Sequence, residues 1–114
     1  MPTDFTIKRG DRLPKLRATL RDSLGALPNL TGATVKFIMN DKSTGASTVA
    51  DGACDVIGDP TLGVVEYAWA LNDTRIASTY NGEFEVTYAD GKDETFPNAK
   101  FIVIKITPDL EGDS

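Results

Sequence analysis

The chain has no histidine among its 114 residues and a single cysteine, Cys54. Histidine is the usual general base near neutral pH and a common metal ligand, so its absence removes Ser–His and Cys–His catalytic pairs and most zinc sites. One cysteine excludes an intrachain disulfide. The acidic neighbours Asp51 and Asp55 raise the pKa of a thiol beside them, so we expect Cys54 to be a small, half-buried apolar residue and not a nucleophile.

Long apolar segments and an excess of positive charge are also missing. No window approaches about 18 consecutive apolar residues, and residues 1–11 (MPTDFTIKRGD) lack the apolar stretch of a signal peptide. We therefore expect synthesis in the cytoplasm without a signal peptide, and no membrane partner. The net charge of −5, with a pI of 4.6, also disfavours binding to a nucleic-acid backbone or to an anionic membrane surface.

The sequence does contain a regular alternation of apolar and polar residues with a period of two, which predicts β-strands. The alternation is clearest at residues 5–8, 16–21, 34–40, 64–69 and 83–88. Residues 101–106 are apolar on both faces until Lys105, as in a central strand. Residues 41–63 are rich in Gly, Ser, Thr, Asp and Ala, which suits short edge strands near 48–50 and 54–57. Turn signals separate these segments at the spacing of a β-sandwich.

The predicted fold is therefore an all-β, antiparallel sandwich of about seven to eight strands. We expect a single domain over residues 1–114, with a core from about 5 to 106 and a polar tail over 107–114. One short helical turn is expected at residues 72–74, where Asn and Asp can cap it. The side chains expected to hold the fold are Phe5, Leu16, Leu20, Val35, Phe37, Tyr67, Trp69, Phe84, Val86 and Ile104.

Tyr80 precedes the alternating segment at residues 83–88. Two interpretations fit it equally well. In a tyrosine corner, the hydroxyl ties the incoming connection to the start of the strand. The other interpretation is an ordinary core aromatic.

The carboxylates are the only candidates for acid–base chemistry. Glu66, Glu83 and Glu85 lie on the outward faces of predicted strands, but a hydrolytic carboxylate pair needs a cleft that a small sandwich has little chain to build. Residues 90–94 (DGKDE) lack the ligand spacing of an EF-hand calcium loop, and a turn explains them better. No glycine-rich phosphate loop follows a strand and opens a helix. The sequence predicts no enzyme, no cofactor and no metal site.

The basic residues are unevenly distributed, since six of the 12 lie in the first 21 positions. They are Lys8, Arg9, Arg12, Lys15, Arg17 and Arg21. Because most carboxylates follow Arg21, we expect one face or end to be positive and another negative. Such a module can dock on copies of itself or on an acidic partner, with the charges setting orientation more than affinity. A mixed, solvated surface explains the same residues equally well. These six residues are the candidate interaction surface.

Five segments, taken in order, resemble the N-terminal immunoglobulin-like domain of phage upper baseplate proteins and related domains of tail and head-fibre attachment proteins. The segments are residues 5–14 (FTIKRGDRLP), 30–37 (LTGATVKF), 63–69 (GVVEYAW), 79–86 (TYNGEFEV) and 95–97 (TFP). The resemblance covers almost the whole chain, from near residue 5 to near residue 106. It implies an immunoglobulin-like sandwich in a phage or phage-like virion.

The resemblance further implies an adaptor or base protein that attaches a fibre, spike or receptor-binding protein to the tail baseplate or capsid. In that family the domain usually heads a longer polypeptide with a coiled-coil or receptor-binding part, which this sequence lacks, so we expect an adaptor and not a receptor-binding protein. The expected partners are other virion proteins and further copies of the chain in a symmetric assembly. The alternative is a carbohydrate-binding sandwich that contacts host glycans through outward-facing Tyr67, Trp69 and Tyr88.

Overall fold

The computed structural model describes residues 4–98 and 101–110, which form nine β-strands and one short 3₁₀ turn. The strands make two sheets that pack on each other through one apolar core. The all-β sandwich predicted from the period-two pattern is therefore confirmed, with one strand more than the largest expected number. The molecule is elongated, with extents of 46 × 25 × 24 Å.

The larger sheet has six strands. They are β1 (Asp4–Lys8), β3 (Thr34–Asp41), β4 (Ser47–Ala53), β7 (Ser78–Thr87), β8 (Asp93–Phe96) and β9 (Ile102–Thr107). Their order is β1–β9–β7–β3–β4, and β8 pairs with the part of β7 that lies beyond the first residue of β9. β1 runs parallel to β9 while the other pairs are antiparallel, so the sheet is mixed and the wholly antiparallel expectation was wrong. Alternation in a sequence predicts the faces of a strand but not its direction, which explains the error.

The smaller sheet has three antiparallel strands in the order β2–β6–β5. Their bounds are β2 (Leu16–Thr19), β5 (Asp55–Val56) and β6 (Val64–Tyr67). The 3₁₀ turn, Pro60–Leu62, precedes β6, and the carboxylate of Asp59 accepts a hydrogen bond from the backbone N–H of Thr61 to cap it.

The prediction of a helical turn at residues 72–74 was wrong. These residues form a non-helical turn. The carboxylate of Asp73 accepts hydrogen bonds from the backbone N–H of Ala70 and from the hydroxyl of Tyr67, both of which precede it in the chain. An N-cap side chain accepts instead from an N–H two or three residues later, so Asp73 pulls the connector back towards β6.

The core is built around the ring of Phe37 on β3, whose centroid lies 5.0 Å from that of Tyr67 and 5.2 Å from that of Phe84. Gly82 makes room for this ring, because a Cβ atom there would come within 2.9 Å of it. The predicted core residues are all buried except Phe5, which is half-buried and packs against Trp69. Nine of the ten predicted core residues are therefore buried, and they make up half of the 18 buried apolar residues in the described chain.

Tyr80 is both a core residue and the anchor of a corner. Its ring is buried, and its hydroxyl donates a 2.6 Å hydrogen bond to the backbone carbonyl of Ile76, four residues earlier. This contact ties the incoming connector to the start of β7, as the tyrosine-corner interpretation predicted.

The predicted polar tail begins inside a strand, because Thr107 belongs to β9 and is paired with Lys8 on β1. Residues 111–114 of that tail lie outside the described residues, as do residues 1–3 of the predicted domain.

Candidate interaction surface

Three connectors lie at one end of the sandwich. They are residues 9–15 between β1 and β2, 42–46 between β3 and β4, and 68–77 between β6 and β7. The chain after β9, residues 108–110, leaves from the same end, since Thr107 pairs with the last residue of β1. This set of residues, with Lys8 and Asp41 at the strand ends, is called the basic end below.

Hydrogen bonds hold two of these connectors side by side. The backbone N–H of Gly10 donates to the carbonyl of Thr74 over 2.9 Å, and the Thr74 hydroxyl donates to the carbonyl of Asp11 over 2.7 Å. The indole N–H of Trp69 donates to the carbonyl of Pro14 over 3.1 Å. Two loops far apart in the sequence thus form one surface.

Several side chains at the basic end are exposed cations. They are Lys8, Arg12, Lys15, Lys42 and Arg75. Three of the four carboxylates that the described chain places there are already engaged. Asp73 holds its own loop, Asp109 pairs with Arg9 at 3.2 Å, and Asp41 accepts from the hydroxyl and N–H of Ser43. The Ser43 hydrogen bonds hold the pKa of Asp41 below its usual value. Hydrogen bonds from neutral groups leave Asp41 and Asp73 charged, so the described residues of this end carry six cations against four carboxylates, a modest positive excess.

Large apolar side chains are exposed beside these cations. Leu13 is 70% exposed on one connector, and Leu71 and Ile76 are 71% and 65% exposed on the other. Leu110 is fully exposed just after β9. Apolar groups next to a basic rim form the kind of surface that binds another protein.

The opposite end of the molecule has the opposite charge. It contains connectors 20–33, 57–63 and 88–92, together with the start of β8, and is called the acidic end below. Its carboxylates are Asp22, Asp59, Asp90, Asp93 and Glu94, and its cations are Arg21 and Lys92. Hydrogen bonds join the first two connectors, from Leu20 N–H to the Gly63 carbonyl and from Leu30 N–H to the Pro60 carbonyl. Leu24, Leu27 and Leu62 are exposed there.

The six basic residues predicted as one interaction surface are divided among three places. Lys8, Arg9, Arg12 and Lys15 lie at the basic end. Arg17 lies on the outer face of β2, and Arg21 follows β2 at the acidic end. The structure therefore brings four of the six together. Sequence reasoning missed Lys42 and Arg75, which join this end only because distant loops meet.

Arg17 is largely committed to an ion pair within the smaller sheet. Its guanidinium contacts the carboxylate of Glu66 on the facing strand at 2.9 Å, and Lys15 approaches the same carboxylate at 3.8 Å. Exposed pairs of this kind contribute about 0–1 kcal/mol to stability. They reduce the charge that this side of the molecule presents.

The three glutamates considered for acid–base chemistry do not converge. Glu66 lies on the outer face of the smaller sheet, whereas Glu83 and Glu85 lie on the outer face of the larger sheet. Glu85 borders an open groove of about 250 Å³ and is paired with Lys36 at 3.1 Å. Glu83 borders a separate open groove of about 180 Å³.

Cys54 is half-buried, as expected. Burial, reinforced by the nearby negative charge of Asp55, raises the pKa of its thiol to about 12. Such a thiol is almost entirely protonated at neutral pH and is a poor nucleophile.

The aromatic residues that a glycan platform requires are mostly buried. Tyr67 and Trp69 are about 5% and 4% exposed, and Tyr88 is half-buried with its hydroxyl donating to Glu94. Burial and the hydrogen bond to Glu94 raise the pKa of Tyr88. These three side chains do not form an exposed stacking surface.

Two further searches covered residues 4–98 and 101–110. No group of three or more Cys, Asp or Glu side chains in this part of the chain is placed to hold a metal ion. Nor does the described chain contain a helix with the length and apolar character needed to cross a membrane.

No protein-family model, curated protein or solved structure matches this chain. The resemblance to phage upper baseplate domains therefore stays a prediction from the sequence, and so does the immunoglobulin-like character of the sandwich.

Proposed function

We propose that this protein is a structural component of a phage or phage-like virion. It acts as an adaptor that attaches a fibre, spike or receptor-binding protein to the tail baseplate or capsid, and it works by docking and not by catalysis. The observation that carries the docking role is the basic end, where exposed Leu13, Leu71 and Ile76 lie among cations that outnumber the carboxylates. The virion setting is supported by the five sequence segments alone.

The basic end has the composition of a protein-binding site. Apolar side chains that lose their contact with water supply most of the affinity of such a site, and the surrounding charges select the partner and its orientation. Arg12 and Arg75 are placed to do this, because each is adjacent in the chain to residues that hold the two connectors together. The loops therefore present a preformed surface, which lowers the entropy cost of binding.

The glycan-binding alternative has weaker support. Sugar rings stack on exposed aromatic faces, and the faces of Tyr67 and Trp69 are buried in the core. Phe101 is an exposed aromatic residue beside Asn81 and Glu83, but one ring at the rim of an open groove is a poor platform.

The proposed function is tested on particles produced by cells that carry the gene. Mass spectrometry of purified particles should detect this chain at a fixed ratio to the major capsid protein, while an abundant host enzyme serves as the contamination control. Deleting the gene should leave particles that lack a fibre or spike protein. Particles without this chain, or a deletion that leaves every other virion protein in place, would contradict the proposal.

A further inference from the structure

We infer that copies of this chain associate end to end, with the basic end of one copy docking on the acidic end of the next. This inference rests on the proposed function, and it names a second copy of the chain as the partner of the basic end. It gives a row of copies in which one terminal basic end and one terminal acidic end stay available for other proteins.

The positions of the exposed apolar side chains are the first support. In the described chain eight large apolar residues are exposed, of which four lie at the basic end and three at the acidic end. The remaining one is Phe101, on the outer face of the larger sheet. Isolated surface leucines need no explanation, but their restriction to the two ends of an elongated molecule indicates two docking surfaces.

The two ends also have complementary charge. The basic end offers Arg12, Lys42 and Arg75, whereas the acidic end offers Asp90 and Asp93 on the β7–β8 hairpin. Contact between two basic ends or two acidic ends juxtaposes like charges, which opposes a two-fold dimer. A head-to-tail contact pairs opposite charges and brings the two sets of leucines together.

Both surfaces are preformed. At the acidic end, Asp22 lies close enough to Tyr88 to raise its pKa, which places the 20–33 and 88–92 connectors together. A Cβ atom added to Gly32 would come within 3.2 Å of the Cβ of Ala89, which shows the same approach. The backbone N–H of exposed Leu24 donates to the carboxylate of Asp22, which holds Leu24 next to this contact.

The test measures self-association of the full chain by sedimentation equilibrium, at protein concentrations up to the millimolar range. We expect the mean mass to rise with concentration at about 20 mM salt and to return to the monomer value at about 0.5 M salt, because exposed charges are screened there. A wild-type chain that stays monomeric throughout the low-salt series overturns the inference.

Paired charge reversals identify the surfaces. R12E/R75E alters the basic end, and D90K/D93K alters the acidic end. Each double variant alone should lower the association constant by at least about tenfold, because like charges then face each other. An equimolar mixture of the two variants should restore association, since the altered ends are again complementary. Association that survives either double reversal, or is not restored by mixing, overturns the inference.

The control variant for the charge reversals lies away from both ends. K105E makes the same kind of charge change on the exposed side of β9 and should associate like the wild type. Leu71→Ser and Leu24→Ser each remove an exposed apolar group, without touching a hydrogen-bonded side chain, and should also lower the association constant. Circular dichroism is used to check that each variant is folded. If a charge-reversal variant is unfolded, the association constants of Leu71→Ser and Leu24→Ser decide the test.

This experiment separates the inference from the proposed function. A chain that is found in purified particles but never self-associates leaves the adaptor role standing and removes only the end-to-end contact. A chain that self-associates as described but is absent from particles removes the virion role.

Discussion

At the scale of single residues, the buried parts of the connectors are held by a few polar atoms. One carboxylate oxygen of Asp73 accepts from both the Ala70 N–H and the Tyr67 hydroxyl, which fixes the turn after β6. Gly52 of β4 lies against the same tyrosine ring so closely that a Cβ atom there would overlap it. The side chain of Tyr67 is therefore held from both sides. This also fixes the start of the basic-end connector that follows it, residues 68–77.

Cys54 gives a prediction at this scale. Because the pKa of the folded thiol is about 12, its alkylation by iodoacetamide should still be accelerating above pH 10. In urea, where the chain is unfolded, the rate should level off near the ordinary thiol pKa of about 9. The Cys54 thiol has the higher pKa in the folded state. Its contribution to the free energy of unfolding is therefore fully present below the unfolded pKa and is lost as the pH rises towards the folded pKa. Equal pH profiles for the two states would contradict the assignment.

At the scale of secondary-structure elements, β7 is the organising strand. Along one edge it pairs with β3, and along the other it pairs first with β9 and then with β8. Four of its ten residues are buried: Tyr80, Phe84 and Val86 by their side chains, and Gly82 beneath an aromatic ring. The hydroxyl of Tyr80 fastens the start of this strand to the connector that carries Ile76, and so links the core to the basic end.

Tyr80→Phe tests this link. The substitution removes only the hydroxyl and its hydrogen bond to the Ile76 carbonyl, so we expect a loss of about 1 kcal/mol in the free energy of unfolding. Chemical denaturation monitored by circular dichroism measures the change. Tyr88→Phe is the matched control, because its hydroxyl bonds to the part-exposed Glu94 and its loss should cost less. A larger loss for Tyr88→Phe than for Tyr80→Phe would argue against the corner.

At the scale of the whole molecule, the connectors collect at two ends of unlike charge. The sides of the sandwich carry paired charges, such as Lys36 with Glu85 and Asp51 and Arg17 with Glu66. These side charges are paired, whereas cations outnumber carboxylates at one end and carboxylates outnumber cations at the other. This distribution favours the proposed end-to-end contact over a lateral one.

The fluorescence of the single tryptophan, Trp69, tests whether its side chain faces the core or the solvent. Trp69 is 4% exposed and packs against Phe5 and Phe37. Acrylamide should therefore quench its fluorescence much less in the folded chain than in urea, and its emission should shift to longer wavelength on unfolding. Addition of host glycans should leave the spectrum unchanged. Strong quenching in the folded state would contradict the burial of Trp69 and favour the glycan-binding alternative.

Much of the architecture was predictable because it depends on local alternation. The buried set Val35, Phe37 and Met39 follows directly from a period of two, and so do Phe84 and Val86. A turn within residues 90–94 was also predicted, and Gly91 there adopts the positive φ of 89° that this turn requires. Each of these features depends on neighbouring residues only.

The candidate surface was only partly predictable for the opposite reason. Lys8, Arg9, Arg12 and Lys15 are neighbours in the sequence and were found, but Arg17 and Arg21 were grouped with them although the strand β2 carries them towards the other end. Nothing in the sequence around Lys42 or Arg75 predicts that they lie at the basic end, because their position depends on which connectors meet in the fold. Exposed Leu13 and Leu71 likewise look like ordinary core candidates in the sequence.

The sequence by itself determined that this chain folds as a β-sandwich, which side chains form half of its core, and that no histidine is present. Tertiary structure decided the direction of β1, the place of the 3₁₀ turn and the division of charge between two ends. The physical reason is that side-chain alternation acts between adjacent residues, whereas strand pairing and loop contacts join residues dozens of positions apart.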